Sequence, residues 1–295
     1  YFKASGADIR TKRQVIDANK HKYSISAMCK VLGIPRATYY YQEKETNNCL
    51  EEAQLEEAVE KVFHQNRRAY GSRRIKEVLD KKNLVLSRRK IRRVMRIRNL
   101  QSSYTKPKYR VHSNKVNQKK VPNHLNRNFT QTKALSVVVT DLTYVRVGKN
   151  WVYVCLMIDL FNREIIGHSC GNKKDALLVK KAIQSIPYSL KEIELFHTDR
   201  GKEFDNELID LVLETFEIQR SLSKPGCPYD NAVSEATYKA FKTEFVNQYQ
   251  FETLEQLELE CFDYVNWWNH HRLHSSLGYK TPIELRYAEV GVANP

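Results

Sequence analysis

The sequence predicts an α/β domain of mixed layers, preceded by all-α helical modules of strongly basic character. Three observations carry that prediction. The first part of the chain shows helical spacing and lacks strand-like runs. From Ser136 the pattern changes to β-branched strands alternating with amphipathic helices. The charge is divided the same way. The 295 residues carry 49 Lys and Arg against 34 Asp and Glu, a net +15. Residues 67 to 120 alone hold 20 Lys and Arg against two acids, Glu77 and Asp80, so the remainder stands at −3. A basic arm on a near-neutral body suits a protein that grips a polyanion with one part and acts with another.

The elements follow in order. Residues 8–41 read as helical, with SISAMCKVLGIPRATYYYQ at their heart. Ser24 or Ser26 caps a short helix, Gly33 supplies the turn, and Pro35 opens a second helix with Arg36, Thr38, Tyr39 and Tyr40. That order is helix-turn-helix grammar, in which the second helix enters a major groove, so residues 1–46 read as a first DNA-binding region. Residues 47–105 form a second basic helical unit, after an acidic linker-like stretch. Ile75, Val78 and Leu79 make one apolar stripe. Ser87 caps the next helix, striped by Ile91, Val94, Met95 and Ile97. Arg73, Arg74, Arg88, Arg89, Arg92 and Arg93 border these stripes as candidate DNA contacts. Residues 106–133 are polar, basic and aperiodic. They read as an extended linker along phosphates, with binding that weakens as salt rises.

SVVVTDLTYVRV is the first strand of the α/β layer. A turn at VGKNW returns it as WVYVCLMIDLF, and REIIGHSC makes a third strand. DALLVKKAIQSI is a helix, ELFHTDRG a strand, EFDNELIDLVLETF a helix and EIQRSLS a strand. PGCPYDNAVSEATYKAFKTE opens as a loop and continues as a helix. The layer spans 134–248, followed by a C-terminal helical tail, 249–295.

Three acids stand out. Asp141 lies within an apolar strand, where a carboxylate without a partner is costly. Asp199 ends a strand, a usual place for functional groups on an open sheet. Glu235 is on the last helix of the layer. At about 100° per residue, Lys242 lies about 20° and Lys239 about 40° from it, and Glu244 about 180° away. Glu235 therefore shares its stripe with two cations, Asp230 reads as the helix cap, and Glu244 reads as solvent-facing. Three converging carboxylates need cations between them. All-oxygen ligands favour Mg²⁺, with Mn²⁺ substituting, and two such ions can activate water or a 3′-hydroxyl against a phosphodiester. The bland alternative is two buried structural aspartates and a surface glutamate. If the turn spans Gly148–Asn150, Asp159 shares the facing of Asp141 and supports the site. His197 points the same way as Asp199. His270 and His274 lack the acid or cysteine that would complete a zinc set. The aromatic run NWWNHHRLHSS either packs or stacks on DNA or a partner.

Six cysteines, with no CxxC pair, indicate free thiols in a reducing cytosol. No run of apolar residues matches a membrane span, and no signal peptide is visible. Cytoplasmic, nucleoid-associated residence is the expectation. The start at Tyr1 reads as a fragment or part of a longer translation product.

TDLTYV, HTDRGKEF and GCPYDNAVSEATYKAFKTE, followed by YVNWWNHHRLHSSLGYKTP, resemble transposases of bacterial insertion sequences of the IS-three family, of the OrfB type. The resemblance covers nearly the whole chain. It implies a ribonuclease-H-like, retroviral-integrase-type core with Asp141, Asp199 and Glu235 as catalytic metal ligands for two ions. It implies that Lys242, with Lys239 beside it, contacts the element's terminal DNA. The implied activity is nicking at the element's 3′ end and joining of the freed 3′-hydroxyl to target DNA through a circular intermediate. The implied partners are terminal inverted repeats, target DNA, further copies of the chain, and an upstream OrfA-type helix-turn-helix protein or fusion. The HHCC zinc set of retroviral integrases has no counterpart here. Competing readings are a catalytically idle DNA-binding repressor or domesticated relative, and a nuclease of the same fold that hydrolyses without joining.

Overall fold

A computed structural model describes residues 8–40, 47–105, 122–224 and 227–290. The chain divides into two compact units, Tyr1–Ala58 and Val59–Pro295.

The first unit contains α1 (Ile9–Asn19), α2 (Ile25–Leu32), α3 (Arg36–Tyr40) and the start of α4 (Asn47–Gln65). Asp8 caps α1 by accepting from Thr11 N–H, and Ser24, the nearer of the two serines, caps α2. Gly33 ends α2 at φ +62°, a conformation that a side chain would strain. Ile16, Met28, Cys29, Leu32 and Ile34 form a small core. The Tyr39 hydroxyl donates to Asp17 at 2.8 Å, tying α3 to α1.

The second unit continues through α5 (Ser72–Lys81) and α6 (Arg88–Ile97), the latter capped by Ser87 as the sequence indicates. Ile75, Leu79, Ile91 and Val94 are buried. Ile97, assigned to the same stripe from sequence, is instead exposed, because the helix ends there.

The sheet follows. β1 (Val137–Val147), β2 (Asn150–Asp159) and β3 (Ile165–Gly171) form an antiparallel meander. α7 (Ala176–Gln184) leads to β4 (Leu195–Thr198), and α8 (Glu207–Thr215) to β5 (Gln219–Leu222). Strand order is β3-β2-β1-β4-β5, with β1, β4 and β5 parallel. This is the ribonuclease-H-like arrangement. Val138, Met157, Val179, Ala182, Phe196 and Ile209 pack in the layer shared with α7 and α8. α9 (Ala232–Glu244) packs against β1, and α10 (Leu254–His270) against β3. α11 (Pro282–Val290) packs on α10. Among the described residues, no helix is long and apolar enough to cross a membrane.

Gly167 of β3 allows a close backbone approach between β3 and α7. A Cβ there would sit 2.5 Å from the carbonyl oxygen of Ala182 and 2.8 Å from Cγ1 of Ile186. A backbone carbonyl cannot rotate away as a side chain can. Gly167→Ala is expected to destabilise the chain by about 1–3 kcal/mol, measured by urea unfolding. A change below about 0.5 kcal/mol would show that α7 shifts freely.

α5 and the segment before it are fastened to the core. Tyr70 donates to the His271 carbonyl and accepts from Leu273 N–H at 2.7 Å. Arg67 pairs with Asp263 and lies over Trp267, and Lys81 reaches Glu284 at 3.0 Å. Part of the linker expected from sequence is scaffold too. Leu125 is buried, and its N–H and that of His124 donate to Ser221 Oγ. Residues 106–121 of that linker lie outside the described residues.

Candidate active site

The parallel pairing of β1 with β4 sets Val139 beside His197. Two residues on, Asp141 and Asp199 stand level on the same face. Each is anchored locally. Leu142 N–H donates to Asp141 Oδ1 at 2.7 Å, and Gly201 N–H to Asp199 Oδ1 at 2.9 Å. Burial and the Asp199 charge push the Asp141 carboxyl up to about 7, against Leu142 N–H and Lys174. Burial and Glu203 raise Asp199 as well.

Two neighbours were not singled out from the sequence. Glu203 is buried, and its Oε1 lies 2.9 Å from Lys174 Nζ. Burial works against the charge of Lys174, yet Glu203, Asp199 and Asp141 together raise its pKa. One ammonium thus offsets three carboxylates. Glu203 had a weak signal, two positions after Gly201 in HTDRGKEF. Lys174, in a loop 25 residues upstream of Asp199, had none.

Glu235 lies in the first turn of α9. It is exposed, and partial burial alone raises its pKa. Among the described residues, no three His, Cys, Asp or Glu side chains converge as a metal-holding group. The structure therefore brings Asp141 and Asp199 together and does not bring Glu235 into the same cluster. The two aspartates fit a hard divalent cation: both donors are carboxylate oxygens, both are half-buried, and their mutual repulsion is only partly offset. α9 is nevertheless joined to β1. Asn231 Nδ2 donates to the Thr140 carbonyl at 3.2 Å. The Tyr238 hydroxyl accepts from Leu156 N–H at 2.7 Å and donates to the Asp141 carbonyl.

Lys242 is half-buried, its Nζ 4.9 Å from the centre of the Tyr144 ring. Burial lowers its pKa, and the charge of Asp141 opposes that shift. Lys239 is exposed one turn earlier. Arg36, Arg73, Arg89, Arg92 and Arg93 are exposed, and Thr38, Tyr39 and Arg88 are partly covered. Arg74 instead turns inward, over the Tyr70 ring and 3.7 Å from Glu244.

Three sequence expectations are corrected here. Glu244 is fully buried rather than solvent-facing, because the far side of α9 meets α10 and not water. Its two oxygens accept from Arg272 at 2.7 Å each, with Tyr104 at 2.6 Å and Tyr264 at 3.1 Å. Burial would raise its pKa, but Arg272 and Tyr104 hold it below the usual range. Asp230 is not the cap of α9, which falls to Asn231 without a side-chain bond. Asp230 instead locks residues 122–127 to the core, accepting from Asn123, Arg127 and Lys224 N–H. Asp159 does not share the facing of Asp141. The turn has two residues, not three, so Asp159 pairs with Val138 and points to the other face. There it accepts from Leu135 and Phe161 N–H and pairs with Arg286 at 3.0 Å. The aromatic run near the end packs, with Trp267 and Trp268 both buried.

His197 is buried between Ser221 Oγ at 2.8 Å and Ser223 Oγ at 3.1 Å. Burial pushes it down to about 4. The unfolded chain, with an ordinary histidine near 6.5, then binds more protons between these two values. Stability from this group is complete above about 6.5 and is lost as pH falls toward 4, by about 3 kcal/mol. His197→Gln is expected to flatten that part of the stability–pH curve, measured by denaturant titration. An unchanged slope would assign the acid sensitivity elsewhere.

Comparison with known proteins gives a consistent picture. Integrase core domain models match residues 131–228 and 216–282, and an HTH-like domain model matches 50–108, the span of α4 to α6. The chain is 30% identical over 234 residues to the transposase for insertion sequence element IS904 of Lactococcus lactis, covering 78% of this chain and 92% of that protein. It is 27% identical over 275 residues to the putative transposase InsK for IS150 of Escherichia coli, covering 92% and 97%. It is 30% identical over 285 residues to the probable transposase for IS1353 of Shigella flexneri, covering 95% of this chain but 55% of that longer protein. Among solved structures, the magnesium complex of the HTLV-2 integrase catalytic core matches at 18% identity and a TM-score of 0.41, over 52% of this chain and 96% of that one.

Proposed function

The chain belongs to the insertion-sequence transposases of the IS-three family, and from that premise we propose that it cuts and rejoins DNA at Asp141, Asp199 and Glu235. The observation that carries this reading is the half-buried pair Asp141–Asp199 on two neighbouring parallel strands, Asp141 within β1 and Asp199 just past the end of β4. Beside the pair, the Lys174 ammonium also faces Glu203, which leaves the pair's negative charge incompletely offset.

Asp141 and Asp199 would hold the cation, with Glu235 as the third ligand from the first turn of α9. Mg²⁺, or Mn²⁺ in its place, bound there as two ions, would supply a lowered water or hydroxyl pKa and charge relief at the leaving oxygen. The chain's residues do the rest. The N–H groups of Leu142 and Gly201 fix the carboxylates. Tyr238 fixes α9 against β1. Lys242, with Lys239, holds a phosphate of the element's terminal DNA beside the acids. Arg73, Arg88, Arg89, Arg92 and Arg93 add contacts along the duplex, and Arg36, Thr38 and Tyr39 of the first unit read a groove. In the first step water cleaves a phosphodiester and frees a 3′-hydroxyl. In the second that hydroxyl attacks a target phosphodiester and displaces its 3′-oxygen, so one bond forms as one breaks. Further copies of the chain and an OrfA-type partner belong to this reading.

The test is incubation of the chain with duplex DNA carrying the element's own terminal repeat, with Mg²⁺ or Mn²⁺. A nick with a free 3′-hydroxyl is expected. DNA binding without a nick in either metal would favour an idle DNA-binding protein. Nicking without joining of pre-cleaved ends would favour a hydrolase.

A further inference from the structure

The hairpin of β1 and β2 extends past the acids and carries an aromatic surface that the reaction above does not use. Tyr144 and Arg146 lie two apart on one face of β1, and Trp151 is directly across from Arg146. The Tyr144 and Trp151 rings meet edge to face, with centres 5.0 Å apart. Trp151 is 50% exposed and Tyr144 41%. Cations flank both: the Arg146 guanidinium lies 5.2 Å from the Trp151 ring centre, and Lys242 caps Tyr144.

The surface is firmly based. Gly148 N–H donates to the Phe251 carbonyl at 2.8 Å, and Val147 bridges Phe251. Phe251 in turn packs on Phe245 in the buried aromatic cluster. The rings therefore face solvent from a braced hairpin, so little order need be imposed on binding.

We infer that Tyr144 and Trp151, flanked by Arg146 and Lys242, form a stacking platform for unpaired bases of a DNA end. Aromatic faces among cations are what single-stranded nucleic acid selects, because every base has a π-face and every link a phosphate. A paired duplex offers phosphates but no free base faces. Lys242 joins the two regions: the residue that caps Tyr144 also feels the charge of Asp141. This inference rests on the DNA-cutting reading.

Trp151 is the exposed one of three tryptophans, Trp267 and Trp268 being buried, so quenching of emission reports it directly. The full chain, free of divalent ions and in about 0.3 M salt to suppress the basic arm, is titrated with short oligothymidylate and with a blunt duplex. Oligothymidylate is expected to quench Trp151, and the duplex much less. Trp151→Ala should weaken oligothymidylate binding about tenfold and duplex binding by less than about twofold, with Trp151→Phe restoring most of the loss. Absence of quenching, or equal losses on both DNAs, would overturn the platform. So would a change of association state in Trp151→Ala, which would assign the surface to another copy of the chain. Nicking of blunt DNA by the unaltered chain tests the underlying reading separately.

Discussion

Asp199→Asn is expected to cut metal-dependent nicking by about a thousandfold or more, on the order of 4 kcal/mol in the barrier, without loosening the fold. Asparagine keeps the shape of the side chain and an oxygen to accept from Gly201 N–H. What it removes is charge. Without that charge the pair cannot hold a divalent cation, and repulsion on Asp141 falls. The melting temperature of the metal-free variant should therefore stay level or rise while activity disappears. That combination separates a lost ligand from a damaged fold. Duplex binding should be retained, since the basic helices are untouched. Glu235→Gln should lose nicking to a similar degree although its side chain is exposed. If Glu235→Gln nicks as the unaltered chain does, the third ligand has been misassigned.

Glu244→Ala is expected to cost about 3–5 kcal/mol, and Arg272→Met a similar amount. Both groups are removed from water and bonded to each other through two contacts of 2.7 Å. Removing the acid leaves a guanidinium held between Trp268 and His274 with no anion beside it. Removing the arginine leaves a carboxylate with only two phenols and a distant Arg74. For this size of unit the loss corresponds to a fall of about 10 °C or more in Tm. The double variant Glu244→Leu with Arg272→Met should recover much of it, because it leaves no unpaired charge. A single-variant loss below about 1 kcal/mol would show that water reaches the pair.

The contrast between Glu244 and Asp141 shows what was legible in the sequence. Strand and helix positions followed from patterning, because β-branched runs and helical stripes report the sheet and its coverings directly. Asp141 and Asp199 could be selected as candidates because each breaks a local rule: an acid inside an apolar strand, and one at a strand's end. Glu244 obeyed every local rule for a surface residue. Its partner lies 28 positions away and arrives only when α10 folds back. Asp159 was misplaced by one residue of turn length, enough to reverse its face. Asp230 looked like a helix cap because its true partners, Asn123 and Arg127, are about a hundred residues upstream. Lys174 and Glu203 belong to the same class: tertiary pairs with no sequence period to reveal them.

The hydroxyl of Tyr238 has a mechanical consequence. It clasps the Asp141 carbonyl and the Leu156 amide from the helix that bears Glu235 one turn earlier. Strand and helix are thereby coupled through neutral groups, whose grip neither ionic strength nor acidity alters. The gap across which the acids face one another is a property of the chassis. Charge must adapt to it, as a cutter's blades adapt to their pivot.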